Sequence, residues 1–306
     1  MASKKIIHNL FCSLIGLSIF MLTSCSSDEV KPDKTGTKPI KLEYKEQKQP
    51  EQKAINDSDN SAAPKMSQQE RMFKAAEINA ELGIAYLRRG DIQKSDLKLA
   101  KAYRQNPQSV AVNLGMALLN EKLNYADKAE NFFLEAVKLE GKERAASAHN
   151  NYARFLCGQG RYDQAEQFFQ IAFANKLYQN REISYTNAGY CAFLADKHDR
   201  AVEYYRQALS YNKIYAPALL NMAKLFVHNN QMPLAKAYMD RYNIVGPKVP
   251  DSILVAYKIE KALGNTAEAT TLFNDLKNNY PDSKQTHEAY LLEFQNSNKT
   301  TDNKKQ

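Results

Sequence analysis

Tryptophan is absent from the 306 residues, glycine occurs only 11 times, proline 10 times and cysteine four times. So few turn formers, set beside 18 Tyr and 13 Phe, suit packed helices. The cysteines stand at 12, 25, 157 and 191, so there is no Cys-x-x-Cys pair. That excludes a zinc ribbon, a thioredoxin-like motif and a disulfide-dense scaffold. Long apolar runs are also missing, and with 43% hydrophobic residues a multi-span membrane protein is excluded. No His-Glu-x-x-His, Gly-x-Ser-x-Gly or Gly-x-x-x-x-Gly-Lys occurs, and His149, His198, His228 and His287 are scattered without metal-ligand spacing. Enzyme chemistry has no visible seat, and no metal or small-molecule substrate is expected.

What is present begins with an address. Lys4 and Lys5 precede an uncharged, mostly apolar run from Leu10 to Leu22. A membrane span needs about twenty residues, so this shorter run fits a secretory signal over residues 1–24. It ends in Leu22-Thr23-Ser24-Cys25, which resembles the lipobox of bacterial lipoproteins. The resemblance implies cleavage before Cys25 and acylation of its thiolate and its new amino group, a covalent lipid being the one non-protein group expected. Two or three acyl chains hold a protein to a membrane without spanning it. Ser26, where Asp would favour the inner membrane, implies the periplasmic face of the outer membrane.

Residues 25–70 read as the lipidated Cys25 and a polar tether, since positions 26–70 hold 8 Lys and 9 acids and almost no core-forming residue. As a flexible coil such a segment spans roughly 35–40 Å. From Arg71 a unit recurs. Asn79, Leu82, Gly83, Tyr86, Ser95, Leu99, Ala102 and Pro107 match the 34-residue tetratricopeptide pattern, with Asn in place of its leading Trp. The small residue opening the second helix recurs as Ser95, Ala129, Ala165, Ala201, Ala235 and Ala269, at intervals of 34, 36, 36, 34 and 34. Four residues later stand Leu99, Phe133, Phe169, Tyr205, Met239 and Phe273. Five residues before each opening residue stand Gly90, Asn124, Gly160, Asp196, Asn230 and Gly264, types that accept a left-handed helix end. The expected fold is all-α: a tetratricopeptide superhelix of about six helix pairs over residues 71–296, closed by a capping helix from Ser283 to about Asn296 that carries His287, Tyr290, Leu291 and Phe294 on one stripe. Residues 297–306 are expected to be a flexible tail. The 36-residue intervals place two extra residues in the loops near Gly141 and Asn180.

Residues 71–296 hold 29 basic and 24 acidic residues, mixed rather than massed on one stripe, so nucleic acid is not an expected partner. Cys157 and Cys191 fall late in the first helices of adjacent repeats. With packed axes about 8–10 Å apart and bridged Cα atoms within about 7 Å, two buried thiols are expected rather than a disulfide.

In a stacked array the concave surface is formed by the first helices. A partner-binding groove is expected there, lined by Ile84, Leu87, Leu114 and Leu118 in the first two repeats, Asn150 and Arg154 in the third, and Tyr190 and Phe193 in the fourth, able to take a peptide by apolar anchors. Asn150 and Arg154 are placed to hydrogen-bond its backbone or a carboxylate.

The lipobox, the repeats and above all Asn150-Asn151-Tyr152-Ala153-Arg154-Phe155-Leu156-Cys157-Gly158-Gln159-Gly160-Arg161-Tyr162-Asp163-Gln164-Ala165 resemble the type IV pilus biogenesis lipoproteins, the pilotins. The long tether departs from a family that often begins its repeats straight after the lipid. The resemblance implies an adaptor, not an enzyme, that binds secretin subunits and promotes their localisation and assembly at the outer membrane. A lipid-anchored scaffold for another envelope or cell-division complex shares every feature except the middle-repeat wording, and a hydrolase with a tetratricopeptide cradle lacks its metal motif here.

Overall fold

The computed structural model describes residues 66–141, 146–176 and 178–302; the expected signal segment, Cys25 and most of the tether lie outside them. Helices come in pairs. The first helices are α1 (Gln68–Arg88), α3 (Val110–Lys122), α5 (Ser147–Gly158), α7 (Arg181–Leu194), α9 (Ala216–His228) and α11 (Pro250–Ala262). Their second helices are α2 (Ile92–Gln105), α4 (Ala126–Glu140), α6 (Tyr162–Ala174), α8 (His198–Tyr211), α10 (Met232–Val245) and α12 (Thr266–Asn279), and α13 (Lys284–Asp302) follows alone. Six positions separate α4 from α5 and α6 from α7 where four separate the other successive repeats, which accounts for the two 36-residue intervals.

The first helix of each pair stops because a residue two positions beyond its end turns left-handed. Gly90, Gly160 and Gly264 have φ of 80°, 74° and 81°, and Asn124, Asp196 and Asn230 adopt φ of 60°, 59° and 58°. Only the side chains that tolerate this conformation stand at these six turns. The starts are fixed as locally. A capping box joins Ser67 to Glu70, the Asp91 and Ser109 side chains accept from Lys94 N and Val112 N, and Pro occupies the first turn of α9, α10 and α11.

The start of α5 has no cap of its own. Glu140, at the end of α4, supplies one: its buried carboxylate accepts from the backbone N–H groups of Ala146, Ser147 and Ala148 at 3.0–3.1 Å and from Ser147 Oγ at 3.0 Å, and His149 Nδ1 lies 3.1 Å away. These are the N–H groups a helix leaves unpaired. Burial pushes this carboxyl up, but the hydrogen bonds of His149, Ala148 and Ser147 outweigh it and hold it below its ordinary value of 4.5. A folded-state value depressed below the unfolded one gives stability that is complete above the unfolded value and lost as pH falls through the folded one. The denaturant midpoint is therefore expected to drop as pH is taken below 4.5, and more steeply than in Glu140→Gln, which cannot titrate. Identical slopes for the two proteins would contradict this role.

The opening residue of each second helix is buried against its first helix, and so are Leu99, Phe133, Phe169, Tyr205 and Met239 one turn on. Gly189 shows why small residues face large ones here, because a Cβ at that position would lie 2.5 Å from the Tyr205 ring. Each first helix also packs closely on the next, α1 on α3 and so on to α11 on α13, while successive second helices stand farther apart and meet through long side chains, as Tyr103 of α2 meets Phe132 of α4 and Tyr204 of α8 meets Glu166 of α6. The layer whose members are closer forms the inside of the bend. One buried cluster extends from Leu114 to Ala289, with a smaller one at the N-terminal end.

Two expectations are corrected. Cys157 and Cys191 are bonded in a disulfide between α5 and α7, with Cα atoms 5.6 Å apart. The axis separation misled because each Cα stands about 2.3 Å off its axis, so facing residues on axes 8–10 Å apart come within bridging range. The stripe of His287, Tyr290, Leu291 and Phe294 is not the packed face of α13: Thr286, Ala289 and Leu292 make that contact, Tyr290 reaches the preceding repeat only by the edge-to-face meeting of its ring with Phe273, and His287, Leu291 and Phe294 face outward. Helix α13 also runs on to Asp302, through the start of the segment expected as a tail.

Candidate functional site

Ile84, Leu118, Arg154 and Tyr190 follow one another at 34, 36 and 36 residues, the intervals of the repeat itself, so they occupy one row along the inner layer. The repeat thus aligns their side chains without any long-range design. In the first three repeats this row opens a cleft of about 640 Å³ between α1, α3 and α5. Ile84, Leu87 and Leu118, each half-buried, form its apolar floor, and Arg88, Lys122 and Arg154 form a basic rim. Glu121 holds the Arg154 guanidinium in a two-point pair, with Nη1 donating to Oε1 at 3.0 Å and Nη2 to Oε2. Such a pairing fixes the guanidinium plane at the cleft mouth and leaves the arginine partly open, with 37% of its side chain exposed.

Of the eight residues expected in the groove, this cleft gathers Ile84, Leu87, Leu118 and Arg154. Leu114 and Asn150 are 8% and 3% exposed and do not line it; they form the neighbouring row, which packs inward. Asn150 Oδ1 accepts from Asn187 Nδ2 at 3.2 Å, tying α5 to α7 rather than awaiting a peptide. Tyr190 continues the open row beyond Arg154 and is half exposed. Phe193 is engaged elsewhere: its ring centroid lies 5.5 Å from His198 and 5.2 Å from His228, and those two rings meet edge to face. Among the described residues no group of three or more His, Cys, Asp or Glu is able to hold a metal ion. Sequence reasoning missed Glu121, although it stands 34 residues after Leu87 and so falls in the same register row.

Tetratricopeptide repeat family models match residues 144–213, 192–256 and 258–283. The chain carries tetratricopeptide repeats, and its helix pairs form their superhelical fold. It is homologous to the type IV pilus assembly protein PilF of Pseudomonas aeruginosa, 27% identical over 215 residues that span 70% of this chain and 84% of PilF. The tetratricopeptide array also matches the crystal structure of PilW, a widely conserved type IV pilus biogenesis factor, at a TM-score of 0.61 and 26% identity over 70% of this chain and 98% of that one. A solved PilF structure matches at 0.59 and 26%, over 71% and 97%. No described helix is long and apolar enough to cross a membrane. Within the tetratricopeptide array the cleft offers two chemistries together: an apolar floor whose residues lie one helical turn or one repeat apart, and a cationic border.

Proposed function

We propose that this chain is a lipid-anchored adaptor of type IV pilus biogenesis, held by Cys25 at the periplasmic face of the outer membrane, which captures secretin subunits and raises their local concentration for ring assembly. The observation that carries this reading is the apolar, basic-rimmed cleft on the first three repeats of a chain homologous to a pilus assembly protein. An apolar segment flanked by acidic residues is the partner chemistry such a cleft selects: burying apolar area supplies affinity, and the rim of Arg88, Lys122 and Arg154 supplies orientation and encounter rate. Nothing in the cleft performs a covalent step, so the mechanism is binding plus delivery. Confinement to a surface converts a bimolecular search into a local one, which increases occupancy without any new contact.

Cys25→Ala tests the anchoring half. The repeats are expected to fold as before, with the protein moving from the membrane to the soluble periplasmic fraction and the number of assembled secretin rings falling. Normal ring counts from a soluble Cys25→Ala protein would refute delivery by anchoring. Recovery of cell-wall enzymes and no secretin with the wild-type chain would refute the choice of partner.

A further inference from the structure

Helix α13 stands in the register of the first helix of a seventh repeat, and among the described residues no second helix packs against it. His287, Tyr290, Leu291 and Phe294 stand 34 residues after Ile253, Ala256, Tyr257 and Glu260 of α11, so they occupy the positions with which a first helix meets its neighbours. The place taken by Leu291 is held in the six complete repeats by Gly83, Ala117, Ala153, Gly189, Ala223 and Tyr257, and all six are buried. In three of them the large apolar residue of the same repeat's second helix stands over this place. A Cβ on Gly83 would lie 2.5 Å from Leu99, one on Gly189 2.5 Å from Tyr205, and the Tyr257 ring lies 6.1 Å from Phe273.

Among the described residues nothing gives Leu291 of α13 that cover. Leu291 is 59% and Phe294 67% exposed, although the helix is firmly seated from behind by Thr286, Ala289 and the Tyr290 ring, which meets Phe273 at 5.1 Å. Among the described residues the chain does not turn at Asn298, the counterpart of the Gly264 turn: α13 continues through it to Asp302. The tether offers no apolar cluster that would serve instead. A second folded copy has no helix of the right kind to spare, since Ser95, Ala129, Ala165, Ala201 and Ala235, which open such helices, are buried within their own repeats.

We propose that the open face of α13 is a docking site for an amphipathic helix of a partner protein, one that carries the row of the repeat's own second helix: a small residue, a large apolar residue four positions later and a small or apolar residue three after that. The incoming helix completes the seventh repeat in trans, its large residue covering Leu291 as Phe273 covers Tyr257. This site lies at the opposite end of the array from the cleft and stands without it.

Two arms on the full chain test it. In the first, residues 297–306 are replaced by a copy of Leu263–Tyr280, which places a second helix in register after α13. The melting temperature is expected to rise, and the gain to vanish when Leu291→Asp and Phe294→Asp are added. In the second, a fluorescent, lactam-stapled peptide with the sequence of residues 265–280 is titrated into the unmodified chain. Saturable binding is expected, weakened about tenfold or more by the two Asp substitutions and unchanged by Leu118→Asp in the cleft. No stabilisation in the first arm, or no binding, or equal binding to the Asp variant in the second, overturns the proposal. A dimer of the chain that the same two substitutions dissolve also overturns it, by giving the face to a second copy.

Discussion

Leu118→Asp is expected to abolish capture of the secretin by an otherwise intact protein. Leu118 sits at the centre of the cleft floor between Ile84 and the Arg154–Glu121 pair. A leucine anchor contributes about 1.5–3 kcal/mol when covered by a partner. The new carboxylate adds a desolvation cost of a few kcal/mol because it would be buried against apolar groups. At about 1.4 kcal/mol per factor of ten, affinity falls by around a thousandfold. Leu118 is half-buried and packs against the core in the free chain, so capture is compared at a temperature where circular dichroism shows Leu118→Asp still folded. Leu97→Asp is the control: that side chain is 69% exposed on α2, outside the cleft, and its replacement should leave capture within about twofold. Equal capture by wild type and Leu118→Asp in a copurification from detergent extracts would remove the cleft from the mechanism.

The largest effect on stability is expected from Tyr205→Ala. Tyr205 is one of the largest fully buried side chains and fills the space opposite Gly189, a position at which no side chain fits while the ring is present. Truncating a buried aromatic costs about 3–5 kcal/mol, from lost transfer energy and the cavity left behind. In an array where each repeat touches only its neighbours, that loss is local. Amide exchange should accelerate first in α7 and α8, while α1 to α3 keep their protection. Uniform acceleration along the array, or a loss below about 1 kcal/mol in denaturant titration, would show that Tyr205 does not play this part.

The repeat architecture was legible because its turns and its packing are written in different residues that keep the same register. Gly90, Asn124, Gly160, Asp196, Asn230 and Gly264 all adopt the left-handed conformation that their residue types permit. Half of the cleft was legible for the same reason, since Ile84, Leu118 and Arg154 repeat at the repeat's own intervals and share its open row. Leu114 and Asn150 were assigned to the groove because they lie four residues from Leu118 and Arg154 on the same helices. That spacing places residues on neighbouring rows, and whether a row faces the hollow or the adjacent helix depends on how helices pack. The stripe on α13 teaches a related lesson. Periodicity identifies residues that share a face, but burial of that face requires a neighbour, and among the described residues none covers Leu291 and Phe294. The disulfide escaped because axis spacing was used as a proxy for Cα spacing. Glu140 escaped because its role as a cap for α5 depends on the end of α4 meeting the start of α5, which no local spacing announces.

The central claim, that the inner row of the first repeats receives the pilus partner, is tested most directly by a photo-crosslinking residue placed in living cells at position 118, with position 97 as the outside control. The account predicts an adduct with secretin from 118 and none from 97. Absence of that adduct at normal protein levels, or the same adduct from both positions, would contradict it.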